Sequence, residues 1–176
     1  MPVPAAPTAA VLGQPARSAE QFNALAAQVA FLLDSPTTFA YQATAQSIIN
    51  VTPALITLDA EVVDTDNVHS LVTNTSRLTI VSAGRYRVAG QIAWAINVSG
   101  YRGARLLKSG VATAFSRTMA VPGVGNIVQV YDEIICVAGD YIEMAGEQSS
   151  GAALSTFVAA GDTSLTFLKA RWAGIS

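Results

Sequence analysis

The stretch Arg85-Tyr86-Arg87-Val88-Ala89-Gly90-Gln91-Ile92-Ala93-Trp94-Ala95-Ile96-Asn97 alternates strictly between two sets of side chains. Tyr86, Val88, Gly90, Ile92, Trp94 and Ile96 fall on one face, with Arg85, Arg87, Ala89, Gln91, Ala93, Ala95 and Asn97 on the other. Period two over this length predicts a β-strand, because successive strand side chains point to opposite sides. The first face reads as core. On the second, a solvent-facing sheet would carry Lys, Glu, Thr or Gln, yet its central positions are Ala89, Ala93 and Ala95. Small apolar residues there suggest close covering, either by a neighbouring subunit or by the chain's own second sheet or a loop. These three alanines are the candidate subunit interface.

The same strand grammar extends from residue 37 to the end. Turn signals recur between short alternating runs, which is the pattern of an all-β sandwich or barrel. Strands are expected at Phe39 to Gln46, Leu55 to Val62, Arg77 to Val81, Tyr101 to Leu107, Val111 to Met119, Asn126 to Val137, Tyr141 to Gln148 and Ser164 to Trp172. Lys108-Ser109-Gly110 predicts a hairpin between two of them. Before residue 37 the composition changes. Residues 1 to 17 hold Pro2, Pro4, Pro7 and Pro15 among many alanines and read as an extended arm. Ser18, with Gln21 three positions on, is a helix start, and Asp34-Ser35-Pro36 is a stop. Between them Phe22, Leu25, Val29 and Leu32 recur at helical spacing and need a partner, either this domain or another body in an assembly. The expected organisation is therefore an anchoring arm and helix over residues 1–36 and a β domain over residues 37–176.

Composition narrows the setting. Charged residues make up 12% of the 176 and hydrophobic residues 51%, with a mean hydropathy of +0.40. A lone small domain with so few charges would struggle to cover its exterior, which favours extensive subunit contact. No uninterrupted apolar run reaches the roughly 18 residues of a spanning helix, so no membrane partner is expected. Ten Lys and Arg against twelve Asp and Glu give a formal charge of −2, the wrong sign for a partner made of phosphate backbones. Three prolines interrupt the first seven residues, where a secretory leader would be continuous, so the expectation is assembly in a cytoplasm. The single cysteine, Cys136, sits in an apolar run and reads as a buried thiol.

Chemistry finds little purchase. His69 is the one histidine, in Asp64-Thr65-Asp66-Asn67-Val68-His69, and that segment lacks the glycine and distal glutamate of a calcium loop. No Gly-x-Ser-x-Gly turn accompanies it. Glu143 and Glu147 share a strand face, but at strand rise they stand about 13 Å apart, too far for a glycosidase pair. No catalytic residue, cofactor or metal is expected.

Three segments carry a resemblance. Ala83-Gly84-Arg85-Tyr86-Arg87-Val88 resembles the Gly-x-Tyr strand start of the jelly roll shared by the complement globular head and the tumour necrosis factor superfamily. Val137-Ala138-Gly139-Asp140-Tyr141-Ile142-Glu143 resembles that family's Gly-Asp turn, and Thr166-Phe167-Leu168 through Gly174 is similar to its last strand. Gly84, Tyr86, Gly139 and Asp140 are thus the expected structural residues. The resemblance implies an all-β, ten-stranded jelly-roll sandwich forming a homotrimer, with termini at the base and variable loops at the apex. The arm and helix before Tyr41-Gln42-Ala43-Thr44-Ala45-Gln46, and the Asp64 to His69 loop, resemble more closely the versions in structural proteins of actinobacterial phages and prophages. That implies a place on a virion surface, as a capsid decoration or head-fibre protein joined to other virion proteins through its arm. A minor tail or tail-tip protein whose apex loops bind host surface glycans, and a bacterial ligand-binding or adhesion module, are the alternatives.

Overall fold

A computed structural model describes residues 18–175. The elements run α1 (Ala19–Leu33), β1 (Thr37–Tyr41), β2 (Ser47–Ile48), β3 (Ala54–Leu55), β4 (Ala60–Asp64), β5 (Arg77–Thr79), β6 (Gly84–Ala93), β7 (Tyr101–Lys108), β8 (Val111–Met119), β9 (Ile127–Cys136), β10 (Tyr141–Gln148), β11 (Leu154–Ser155) and β12 (Phe167–Gly174). The proline-rich arm expected over residues 1 to 17 lies outside the described residues.

Two sheets face each other. One has the order β4-β1-β12-β6-β9, and the other runs β3-β10-β7-β8 with β5 also paired to β10. The two-residue strands β2 and β11 form a third, small pair. All pairings are antiparallel, and apart from the β7–β8 pair the neighbours in the sheets are distant in sequence, as in a jelly roll. Tyr86, Val88, Ile92 and Trp94 from β6 and the residue after it meet Leu106, Ile142, Met144, Val130 and Leu168, all buried. Each such side chain contributes about 1.5–3 kcal/mol of apolar burial, so this interior holds the sheets together.

Local chemistry explains the connections. The β7–β8 hairpin turns at Ser109 (φ 48°) and Gly110 (φ 81°), both left-handed, the two-residue turn whose twist matches antiparallel strands. Gly84 is needed for space: a Cβ there would stand 2.1 Å from the Trp172 indole nitrogen, which donates to the Ala83 carbonyl at 3.1 Å. The Tyr86 hydroxyl donates to the Ser82 carbonyl at 2.6 Å, tying the strand start to its own loop.

Several strand limits differ from the sequence expectation. The long strand ends at Ala93, and Ile96, expected in the core, is 64% exposed because the chain turns outward after an isolated bridge at Trp94. The run from Leu55 to Val62 is two strands in two sheets. Between them Ile56 and Leu58 are both buried, and the Asp59 carboxylate accepts the Ala43 and Thr44 amides while the chain crosses over. The last strand starts at Phe167 rather than Ser164, since the Ser164 and Leu165 carbonyls accept the Gln91 side-chain amide.

The helix starts where Ser18 predicts, with a reciprocal capping box to Gln21. Its docking differs from its apolar pattern. Phe31 is its only buried residue, set edge-on against Trp172 with ring centroids 4.9 Å apart, whereas Phe22, Leu25, Val29 and Leu32 are exposed.

Candidate subunit interface

The outward face of the β4-β1-β12-β6-β9 sheet carries a row of residues defined by strand register. Val63 pairs Phe39, Phe39 pairs Lys169, Lys169 pairs Ala89 and Ala89 pairs Tyr131. The Lys169 ammonium lies 3.8 Å from the Phe39 ring centre and 4.4 Å from that of Phe167. Phe39 and Phe167 meet edge to face at 5.6 Å. A cation held over two rings keeps its stem flat on the sheet, so the row stays low and apolar rather than bristling with charge. Because Ala89 contributes only a methyl group, a trough of about 650 Å³ opens above it, walled by Phe39, Val63, Arg87, Tyr131 and Lys169.

Polar rows flank the trough. Toward the termini, Thr37, Arg171, Arg87 and Glu133 stand in register, and Arg87 Nε donates to Glu133 at 3.0 Å. Toward the other end, the Gln129 side-chain amide donates to Gln91 Oε1 at 2.7 Å. Along β9, Ile127, Tyr131 and Ile135 are more than half exposed, alternating with Gln129 and Glu133 on the same strand. An apolar centre bordered by hydrogen-bonded polar residues has the anatomy of a protein–protein contact.

The three alanines of the sequence expectation separate here. Ala89 lines the open trough. Ala93 is 2% exposed because its own chain covers it: its amide donates to the Thr166 hydroxyl oxygen at 3.1 Å and its carbonyl accepts the Phe157 amide at 2.8 Å. Ala95 packs on the core with its amide bonded to the Ser155 carbonyl. The open-interface expectation is therefore corrected for Ala93, which the segment from Ser155 to Thr166 covers, while Ala95 is half-buried. Phe39, Tyr131 and Lys169, which form most of the trough, were not singled out in sequence. The legible signal is β9 itself, where apolar residues occur in both phases of the alternation.

Elsewhere, polar groups serve the fold. Asp64 accepts the Val68 and His69 amides at 3.1 and 2.9 Å, and Asp66 accepts the Ser82 hydroxyl. The buried His69 ring lies 2.7 Å from Glu61 and 3.0 Å from the Thr75 carbonyl, clasping the open side of the sandwich between β4 and β5. On the far sheet Glu147 is held by Arg105 at 2.9 Å and Arg117 at 2.6 Å, and Glu143 by Arg77 at 2.9 Å. Gly139 adopts φ 92° in the turn before β10. There the Val137 amide, Lys108 and Ser109 all reach the Asp140 carboxylate and hold it below the usual carboxylate range. Burial pushes the Cys136 thiol up to about 11, with Asp140 adding to it and Lys108 opposing.

No protein-family model matches the chain, and no curated protein matches it. Solved structures do. The globular domain of zebrafish complement 1qA is similar over 81% of this chain and 100% of its own, with TM-score 0.56 and 13% identity. Murine APRIL is similar over 78% and 98% at TM-score 0.60 and 12% identity. The Eiger tumour necrosis factor of S. frugiperda is similar over 80% and 95% at TM-score 0.58 and 12% identity. At such identities the likeness is one of fold, and the β region of this chain has the jelly-roll fold of the complement globular head and tumour necrosis factor domains.

Proposed function

We propose that the chain is a non-enzymatic structural protein of a bacteriophage particle. In this reading the jelly roll assembles as a homotrimer through the trough face, and the N-terminal arm with its helix joins the trimer to other virion proteins on the capsid. One observation carries the trimer: the row Val63, Phe39, Lys169, Ala89 and Tyr131 is left open across all five strands of one sheet. The resemblance of the fold to trimeric jelly rolls supports three as the number, and the low total charge supports burial of that face. The likeness of the arm, the helix and the Asp64 to His69 loop to phage structural proteins supports the virion.

The experiment is to delete residues 1–36 and ask two questions of the product. The reading expects a trimer that no longer joins particles. Decoration of virions at normal occupancy by the shortened chain would contradict the anchoring role, and a full-length protein absent from purified virions would contradict the virion assignment.

A second reading, contact with the host surface through the apex, is favoured by the loops far from the termini. Ile96, Val98, Val121, Val124 and Phe157 are about half exposed or more, while the loops over residues 94–100, 120–126, 149–153 and 156–166 contain one charged residue, Asp162. Immunogold labelling separates the two, since the first puts the protein on the capsid and the second on the tail.

A further inference from the structure

The helix carries two stripes, and only one is used. Gln21, Ala24, Gln28 and Phe31 are buried or half-buried, while Phe22, Leu25, Val29 and Leu32, each one position further on, are 66%, 36%, 46% and 61% exposed. One residue is about 100° of helical rotation, so the apolar stripe points sideways from the domain rather than onto it. Its spacing is three, four, three, the a/d pattern of a coiled-coil seam. Alanines at 26, 27 and 30 leave the flanks narrow, and Glu20 is the only charged residue of the helix. A charged partner finds nothing to match there.

The stripe also has a definite neighbour. Leu32 and Ser35 line a cleft with Arg87, Arg171, Trp172 and Ala173. Arg87 and Arg171 belong to the polar row beside the trough. The lower end of the stripe is therefore continuous with the sheet face that the proposed trimer buries.

We infer that the occupant of this stripe is the same helix of the other two copies. Phe22, Leu25, Val29 and Leu32 form stacked layers of a parallel three-helix stalk on the trimer axis. This rests on the trimer reading. Two heptads are too short to associate alone, since helices below about 12–15 residues are marginal in water; the jelly roll brings the three copies together and the helices extend its contact. In the anchoring role proposed above, the helices then hold the three arms together on one axis and the arms make the contact with the particle.

The test uses the full chain carrying Leu25→Cys, oxidised with diamide, beside Ala27→Cys, which sits on the side of the helix away from the stripe. Native mass spectrometry of both variants is run first. The inference expects trimers in both cases, with a disulfide linking two chains in Leu25→Cys, independent of protein concentration, and no such link in Ala27→Cys. Trimers in which Leu25→Cys links no faster than Ala27→Cys would overturn the stalk and leave the trimer reading standing. Monomers in both variants at micromolar concentration would overturn both.

Discussion

Tyr131 stands directly opposite Ala89 across the β6–β9 ladder, a 61% exposed ring beside a methyl group. A large aromatic next to a gap of this kind offers both a knob and a hole on one surface. In a three-fold ring the knob of one copy meets the hole of the next, a head-to-tail contact that closes when each copy is turned by 120°. Ala89→Glu would fill the hole with a carboxylate while leaving the sandwich interior untouched. The expected product is a folded protein that fails to associate, seen by light scattering together with an unchanged far-ultraviolet circular dichroism spectrum.

Ala93→Glu, only four residues on, is expected to behave differently. Ala93 is sealed by Phe157 and Thr166 of its own chain, so a carboxylate there is buried within one subunit. An uncompensated buried charge costs about 3–5 kcal/mol, a large part of a domain's stability. Urea unfolding is expected to show that loss, or the variant is expected to be recovered only as aggregate. A soluble Ala93→Glu protein with wild-type stability would show that the 155–166 segment does not cover the strand.

The contrast shows how far the sequence carried. Period two in Arg85 to Asn97 identified the β6 strand and its core side, because alternation reports a physical asymmetry between faces. What covers the other face is settled by a segment some 60–80 residues away, and no local pattern records that approach. The helix was legible in its start, since Ser18 and Gln21 bond each other. Its docking residue was not: Phe31 lies off the apolar stripe, and its importance comes from Trp172, at the opposite end of the chain.

Phe31→Ala tests that docking. Loss of the edge-to-face contact with Trp172 removes about 2–3 kcal/mol, toward the lower end for buried aromatics because one side of the helix is already open to water. Hydrogen exchange is expected to rise across residues 19–33 while β6 and β12 stay protected. Uniform loss of protection would mean that the helix and the sandwich unfold as one unit.

Asp140 gives the fold a dependence on acid. Its carboxyl is held below the ordinary 3.8 chiefly by the Val137 amide, then by Lys108 and Ser109. A group whose folded pKa is depressed stabilises the fold above its unfolded value and loses that contribution as pH falls through the folded one. The turn before β10 is therefore expected to weaken below about pH 4. Asp140→Asn, which keeps the shape and removes the charge, should cost about 1 kcal/mol at pH 7 and flatten the acid limb of stability against pH. An acid limb identical to wild type would remove Asp140 from that account.

The central claim is that the trough face is closed by copies of this chain. Native mass spectrometry of the full-length protein at micromolar concentration tests it most directly. The account predicts a species of about 55 kDa, three copies of the 18.3 kDa chain, which Ala89→Glu converts to single chains. A wild-type protein that stays at 18.3 kDa under those conditions would contradict it.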